Sequence, residues 1–205
     1  MQPEDPAFFT GWYQTVPLGG GRIVPGEQDC RPRWKAMRRL HDGLRGKHVL
    51  DLGAAEGFFS CACADLGADV TAVEMQPLTF DRLVYVVGQR NLADRIVPIL
   101  TNAERFLVRD PQRADVVLSL NLIHHLAGPL LHLALIRDAL TSGGVLYLEA
   151  PDEPGAGLRL RKRENYVLGN GLLRSILARF FGRVETVHAW KNSVGNARLM
   201  WECVK

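Results

Sequence analysis

From Lys47 onward the chain repeats one unit: a short apolar run, a break, then an amphipathic stretch. HVLDL (48–52), ADVTAVE (68–74), RIVPIL (95–100), ADVVLSL (114–120) and VLYLEA (145–150) read as buried strands. Between them, GFFSCACADLG, TFDRLVYVVGQRN, NAERFLVRD and GPLLHLALIRDAL read as helices. Short continuous apolar strands alternating with amphipathic helices specify a parallel sheet covered on both faces. Helix burial is expected at Phe59, Cys63 and Leu66, and at Leu130, Leu133, Ile136 and Leu140, with Gly143 and Gly144 stopping the last of these helices.

The end of the chain breaks the alternation. GLLRSILARFF (171–181) is a helix after an Asn170 cap, and RVETVHAWK and ARLMWECVK are β-rich runs joined by the five residues NSVGN. A five-residue connection permits only antiparallel neighbours, because a parallel pair needs a crossover. The expected sheet is five parallel strands plus a terminal hairpin that inserts one antiparallel strand. Residues 1–30 read as loop, broken by Pro17, Gly19, Gly20, Gly21, Pro25 and Gly26. A helix is expected next, capped by Asp29, with Trp34, Met37 and Leu40 on one face and Gly43 and Gly46 closing it. The division is therefore a 1–46 extension that carries a helix and a lid, and a 47–205 domain.

Composition narrows the class. With 205 residues, 47% hydrophobic and 23% charged, the chain has enough material for a core and is neither disordered nor a disulfide scaffold. No apolar run approaches the roughly 18–20 residues that cross a bilayer, so no membrane partner is expected. MQPEDPAFFT opens with acids and prolines, unlike a signal peptide. The four cysteines show no ligand spacing; Cys61 and Cys63 point apart on a helix, so no metal is expected and a cytoplasmic location is. The charge is divided: residues 31–48 hold seven bases against one acid, residues 49–154 seven against fourteen, and residues 155–205 ten against three. Such basic flanks are either solvated helix faces or a surface for an anionic partner.

The chemistry concentrates in VLDLGAAEGFFS (49–60), a strand, a glycine-bearing turn and a helix start. Asp51 sits where a carboxylate can hold an ammonium group. Gly53 lets the backbone approach a ligand, and Gly57 allows close packing of helix on strand. Ala55 replaces a glycine common in such turns. Glu74, 21 residues after Gly53, ends the second strand, where an acid accepts hydrogen bonds from a ribose diol. Met75 can lie against an adenine ring, Asn102 can bond its amine and the Ala103 N–H a ring nitrogen.

These features together resemble the class I S-adenosylmethionine (SAM)-dependent methyltransferases over residues 31–205. DLGAAEG with Gly53 and Ala54, Glu74, the NAE step, DVVLSLNLIHHL, LTSGGVLYLEA and the hairpin occur in that family's order. The resemblance implies a Rossmann-like seven-stranded α/β sheet with helices on both faces and the sixth and seventh strands antiparallel. Within the class, FFTGWYQTVPLGGG, Arg33-Trp34 and LIHHLAGPL look closest to the tRNA 5-hydroxyuridine-34 modifying methyltransferases. That likeness implies that Arg33, Gly53, Glu74, Met75, Ala103, Glu104, Leu120 and His124 face the cofactor. His124 stands where that subgroup usually carries tyrosine. Its members use carboxylated SAM, whose extra basic contacts have no residue-by-residue match here.

The implied reaction is SN2 transfer of methyl to an oxygen, nitrogen or carbon nucleophile, with Asn121 and His124 facing the transfer axis. His124 is the candidate base, since histidine titrates near neutrality. His125 reads as structural, because neighbouring side chains after a strand end diverge. Trp12 and Tyr13 either close over the cofactor or anchor the N-terminus. Glu149 and the residues after it, with Arg159, Arg161, Lys162 and Arg163, read as the acceptor rim. No Asp/Asn-Pro-Pro-Tyr or Pro-Cys motif suggests DNA methylation. A small polar metabolite or natural-product precursor is the favoured acceptor. A tRNA wobble uridine is the alternative, and a non-catalytic SAM-binding scaffold the reading from another class.

Overall fold

The computed structural model describes residues 6–110, 112–153, 158–160, 166–191 and 195–205. The chain divides into residues 1–106 and 107–205. Seven strands make the main sheet.

The first unit begins with a 3₁₀ turn, Pro6–Phe9, and a two-stranded antiparallel ribbon, β1 (Val16–Pro17) and β2 (Ile23–Val24). These residues are not the loop that their prolines and glycines suggested. Phe8, Trp12, Val16 and Leu18 are buried, with Phe8 edge-on to the Tyr85 ring. Helix α1 (Arg31–Ala36) follows and is shorter than expected: the backbone turns out of the α region at Met37, and a 3₁₀ helix, Arg38–Asp42, continues it. Cys30 rather than Asp29 is the N-cap; Asp29, one residue earlier, accepts from the Arg31 N–H at 3.0 Å. Met37 and Leu40 are buried while Trp34 is half-buried.

β3 (His48–Leu52), α2 (Phe58–Asp65), β4 (Asp69–Glu74), α3 (Pro77–Gln89), β5 (Ile96–Leu100) and α4 (Ala103–Arg109) then run as the alternation requires. β3 pairs parallel with β4, and β4 with β5, with Asp51 beside Ala72 and Glu74 beside Leu100. β5 is only partly covered, and Val97 and Leu100 are exposed. Pro98 sits in this strand, as proline does on a sheet edge.

In the second unit β6 (Ala114–Leu120), α5 (Pro129–Ala139), β7 (Leu140–Pro151), a ribbon of β8 (Leu158–Leu160) and β9 (Tyr166–Leu168), α6 (Asn170–Phe180), β10 (Arg183–Lys191) and β11 (Ala197–Val204) follow. β6 and β7 are parallel, and β11 pairs antiparallel with both β7 and β10, as the short connection demanded. Two expectations shift. Helix α5 ends at Ala139, so Leu140 and the glycines Gly143 and Gly144 belong to a strand, and Leu130 is 51% exposed while His132 takes the buried position. Gly169 rather than Asn170 caps α6.

Candidate cofactor and acceptor sites

The turn after β3 is built by three left-handed residues: Gly53 (φ 76°), Ala55 (φ 50°) and Gly57 (φ 85°). Gly53 and Ala54 both donate to the Val73 carbonyl, at 2.8 and 3.0 Å, which ties the turn to β4. Ala55 holds a conformation that costs a Cβ-bearing residue roughly 1–2 kcal/mol. Gly57 is needed for space as well: a Cβ there would lie 2.4 Å from Leu83 Cδ1. Leu83 belongs to α3, so this glycine serves contact with a helix rather than the helix-on-strand packing expected.

Asp51 is buried at the end of β3 and accepts a 2.6 Å hydrogen bond from Ser60 Oγ on α2. Burial pushes its carboxyl up to about 6; the Ser60 bond opposes this, and the nearby Glu74 charge adds to it. This is a carboxylate short of positive charge, which an ammonium group would supply. Glu74 is also buried. Its Oε1 accepts from the Met75 and Gln76 N–H groups, both at 2.8 Å, and its Oε2 from Ala55 at 3.1 Å. It therefore braces the turn. Met75 is 51% exposed, free to cover an apolar ring.

Asn102 corrects the expectation placed on it. Its Oδ1 accepts from Glu104 and Arg105 N–H, at 2.9 and 3.1 Å, and so caps α4. A carbonyl engaged in this way leaves the amide NH₂ as the group to offer a ligand, and that group suits a ring nitrogen rather than an amine. Ala103 is buried at the helix start, and the Glu104 Oε1 atom is buried with no hydrogen-bond partner among the described residues. An orphaned acceptor of this kind and the Asp51 carboxylate fit a cofactor that carries an ammonium and hydroxyl donors. Arg33 is buried, donates to Cys30 Sγ at 3.0 Å and lies over the Phe59 ring, 5.4 Å from its centre.

Sequence reasoning missed Gln14, Glu56 and Arg82. Buried Glu56, inside the turn, accepts from Tyr13 and Gln14 N–H at 2.8 and 3.0 Å; Gln14 Oε1 accepts from Phe58 N–H at 2.9 Å. Burial raises the Glu56 carboxyl, while those N–H groups and Arg82 hold it down. Trp12 is fully buried and donates to the Phe8 carbonyl at 2.7 Å; Tyr13 is half-buried. The only available signal was a pair of charged residues, Glu56 and Arg82, in otherwise apolar stretches. A cavity of about 290 Å³ lies elsewhere in this unit, beside Trp34, Ile23 and Phe58. None of the expected site residues lines it, and its rim charges pair with each other, Arg31 with Asp29 and Arg90 with Asp65.

In the second unit Leu120 ends β6, and Asn121 follows with φ 57°. Asn121 N–H donates to the Glu149 carbonyl at 3.1 Å, and Arg198 Nε donates to Asn121 Oδ1 at 2.8 Å. The Glu149 side chain is fully buried and accepts from Trp190 Nε1 at 3.1 Å, so it is set in the wall and does not project from a rim. His124 and His125 lie on a 3₁₀ helix, Ile123–His125. Their rings are 4.1 Å apart rather than diverging, because the tight turn replaces the extended backbone expected there. His124 is buried and His125 exposed. His124 borders a small apolar cavity, about 10 Å³, with Ile123, Ala150, Leu168 and Leu173, which is room for about one water. Buried His132 has Nε2 3.0 Å from Ser119 Oγ and is pushed down to about 4 by burial, so it is neutral and structural. Arg161, Lys162 and Arg163 lie outside the described residues, as does any account of the Arg159 side chain. No group of residues suited to a metal occurs among the described residues, and none of their helices is long and apolar enough to cross a membrane.

Parallel strands alternating with helices and a terminal antiparallel pair give the chain the class I methyltransferase fold. Residues 50–148 match the family described as "Methyltransferase domain". The chain is 32% identical over 131 residues to the tRNA U34 carboxymethyltransferase of Pseudomonas savastanoi pv. phaseolicola; this is 63% of the chain but 40% of that protein. It is 34% identical over 149 residues, 72% of the chain and 60% of the relative, to the ubiquinone biosynthesis O-methyltransferase of Idiomarina loihiensis. In fold it resembles the N-terminal domain of EvdMO1, crystallised in the presence of SAH and D-fucose, with a TM-score of 0.69 and 18% identity over 96% of this chain and 92% of that one.

Proposed function

We propose that this chain transfers a methyl group from SAM to an oxygen or nitrogen nucleophile, or a carbon one, of a small polar acceptor. The observation that carries the reading is Asp51: a buried carboxylate with no cation beside it among the described residues, two residues before the Gly53 turn and near the acid that ends the next strand. When bound, the cofactor supplies a sulfonium methyl, already activated for displacement. The protein's task is alignment, which can lower a barrier by roughly 7–11 kcal/mol.

In this reading Asp51 accepts the ammonium, the Gly53 and Ala54 backbone approaches the methionyl part, and Glu74 accepts from the ribose hydroxyls. Met75 covers the adenine, the Asn102 amide and Ala103 N–H bond its ring nitrogens, and Glu104 and Arg33 complete the wall. Leu120 and Asn121 stand on the reacting side, and His124 takes a proton from an acceptor that carries one. Glu149, Trp12 and Tyr13 serve as walls, with Arg161 at the rim. Residues 1–46 act as an extension to a 47–205 catalytic domain.

The names of the relatives favour a second acceptor, a tRNA wobble uridine, with carboxylated SAM as the matching donor. The chain spans about 40% of the length of that relative. Calorimetry with SAM, carboxylated SAM and S-adenosylhomocysteine tests the cofactor. Binding of SAM to the parent and its loss in Asp51→Asn is the expected result; no heat with any of the three sinks the reading. Transfer of labelled methyl to a metabolite extract or to unmodified tRNA then separates the acceptors.

A further inference from the structure

Residues 8–14 form a strap whose backbone is held by side chains of the turn and of α3 and, at the Trp12 and Tyr13 carbonyls, by the Glu27 and Gln28 N–H groups at 3.0 and 2.8 Å. Arg82 on α3 donates to three strap carbonyls: Nε to Phe8 at 3.0 Å, Nη1 to Gly11 at 3.1 Å and Nη2 to Thr10 at 2.6 Å. Its guanidinium also lies over the Trp12 ring, 5.5 Å from the centre. The far end of the strap is held by Glu56, which takes the Tyr13 and Gln14 N–H groups on its two oxygens and lies 3.7 Å from Arg82 Nη1. Gln14 returns the contact by accepting from Phe58 N–H, the first residue of α2.

Glu56 occupies a particular place in the turn, between left-handed Ala55 and left-handed Gly57. A strained residue such as Ala55 persists only where its surroundings over-determine it. Three fixings act on it: the Ala55 N–H bond to Glu74, the Gly57 N–H bond to the Ala54 carbonyl and the anchored Glu56 side chain. If the strap leaves, the Glu56 carboxylate loses the Tyr13 and Gln14 N–H donors and its cover. A carboxylate stripped of most of its hydrogen bonds turns towards water, and its backbone moves with it.

We propose that Glu56 is a positioning residue that couples strap docking to the cofactor-ready shape of the 53–57 turn, so that the strap and the cofactor stabilise each other. The proposal rests on the reading that this turn holds SAM. Coupling between two sites is reciprocal: if a docked strap favours the cofactor, bound cofactor holds the strap down by the same factor. Arg82 and Glu56 then differ in role. Arg82 anchors the strap without touching the turn's backbone, whereas Glu56 is the link between the two.

Chymotrypsin cleavage within the strap, after Phe9 or Tyr13, of the native full chain with and without saturating S-adenosylhomocysteine tests this. In the parent, the ligand slows cleavage by about tenfold, the low end of allosteric couplings. In Arg82→Gln, cleavage is faster but the ligand still slows it. In Glu56→Gln, cleavage is faster and the ligand no longer slows it. Gln14→Leu severs the second tie and shows reduced protection even where Glu56→Gln does not fold. A Glu56→Gln protein protected as well as Arg82→Gln overturns the proposal, since Glu56 would then be a plain anchor. So does a parent that binds the ligand without protecting its strap. A parent that binds no S-adenosylhomocysteine by calorimetry removes the methyltransferase reading, and this proposal with it.

Discussion

Ser60 Oγ donates to Asp51 Oδ2 at 2.6 Å, and this hydroxyl, with the Ser60 N–H, is set against a burial that lifts the carboxyl to about 6. A carboxyl raised on folding is ionised at a cost, so the stability it affects is highest at low pH and falls as pH rises from about 4 towards about 6. A raised value of about two units corresponds to roughly 3 kcal/mol at most. Asp51→Asn should therefore stabilise the free protein at pH 8 by up to that amount, read from the urea midpoint, while removing SAM binding. A variant that is both less stable and fully able to bind would remove Asp51 from the cofactor site.

The same carboxyl predicts how SAM affinity depends on pH. An ammonium partner favours the ionised form, so binding below about pH 6 must first strip a proton from Asp51. Affinity should be flat above pH 7 and fall by about tenfold per unit of pH below the raised value. Calorimetry from pH 5 to 8 checks this, and an affinity indifferent to pH across that range speaks against an Asp51–ammonium pair.

Ala55 and Gly57 make opposed predictions from one turn. Ala55→Gly removes left-handed strain and should raise stability by up to about 1 kcal/mol, less what the freer unfolded chain takes back. Gly57→Ala adds both strain and a Cβ at 2.4 Å from Leu83 Cδ1, and should lower stability by about 2 kcal/mol or more. Denaturation midpoints with unchanged slopes decide both. A stabilising Gly57→Ala would mean that the turn is not built as described.

How far the sequence carried follows from these residues. The strand that ends at Glu74 and the terminal hairpin were readable because strand ends and a five-residue connection are local properties. Leu130 and Leu140 were misplaced because 3.6-residue periodicity does not reveal where a helix hands over to a strand. Ala139 closes α5, and the strand begins three residues before Gly143. Gln14, Glu56 and Arg82 were invisible for another reason. Their contacts span 42 to 74 residues of sequence, and nothing local marks a charge that will be buried against distant backbone. Asn102 was assigned to a ligand when its oxygen was already committed to a helix start, a choice that only hydrogen-bond geometry settles.

The two histidines separate catalysis from support. His124→Asn should reduce methyl transfer far more than it changes SAM affinity, if His124 takes a proton from the acceptor. His125 is exposed, so His125→Asn should leave stability within about 0.5 kcal/mol, contrary to the structural role its position suggested. Single-turnover rates beside binding constants distinguish the cases. Transfer rates equal to the parent in a His124 variant would leave alignment alone as the source of rate.

Salt dependence chooses between a small acceptor and tRNA. Each phosphate contacted on a single strand contributes a slope of roughly −0.7 in log affinity against log salt. Residues 31–48 supply exposed Arg31, Lys35, Arg38, Arg39, Arg45 and Lys47, and residues 159–163 supply four more bases in sequence. If tRNA is bound, purified protein should shift it at low salt, and replacing Arg161, Lys162 and Arg163 with Ala should flatten the slope by about two units. A small anionic acceptor engages one or two bases, so the slope is shallow and tRNA shows no shift at moderate salt. The shallow outcome is expected here, because the exposed bases of 31–48 are partly spent on neighbours, as Arg31 is on Asp29 at 2.7 Å. A steep slope that the triple variant abolishes would transfer the acceptor from metabolite to RNA.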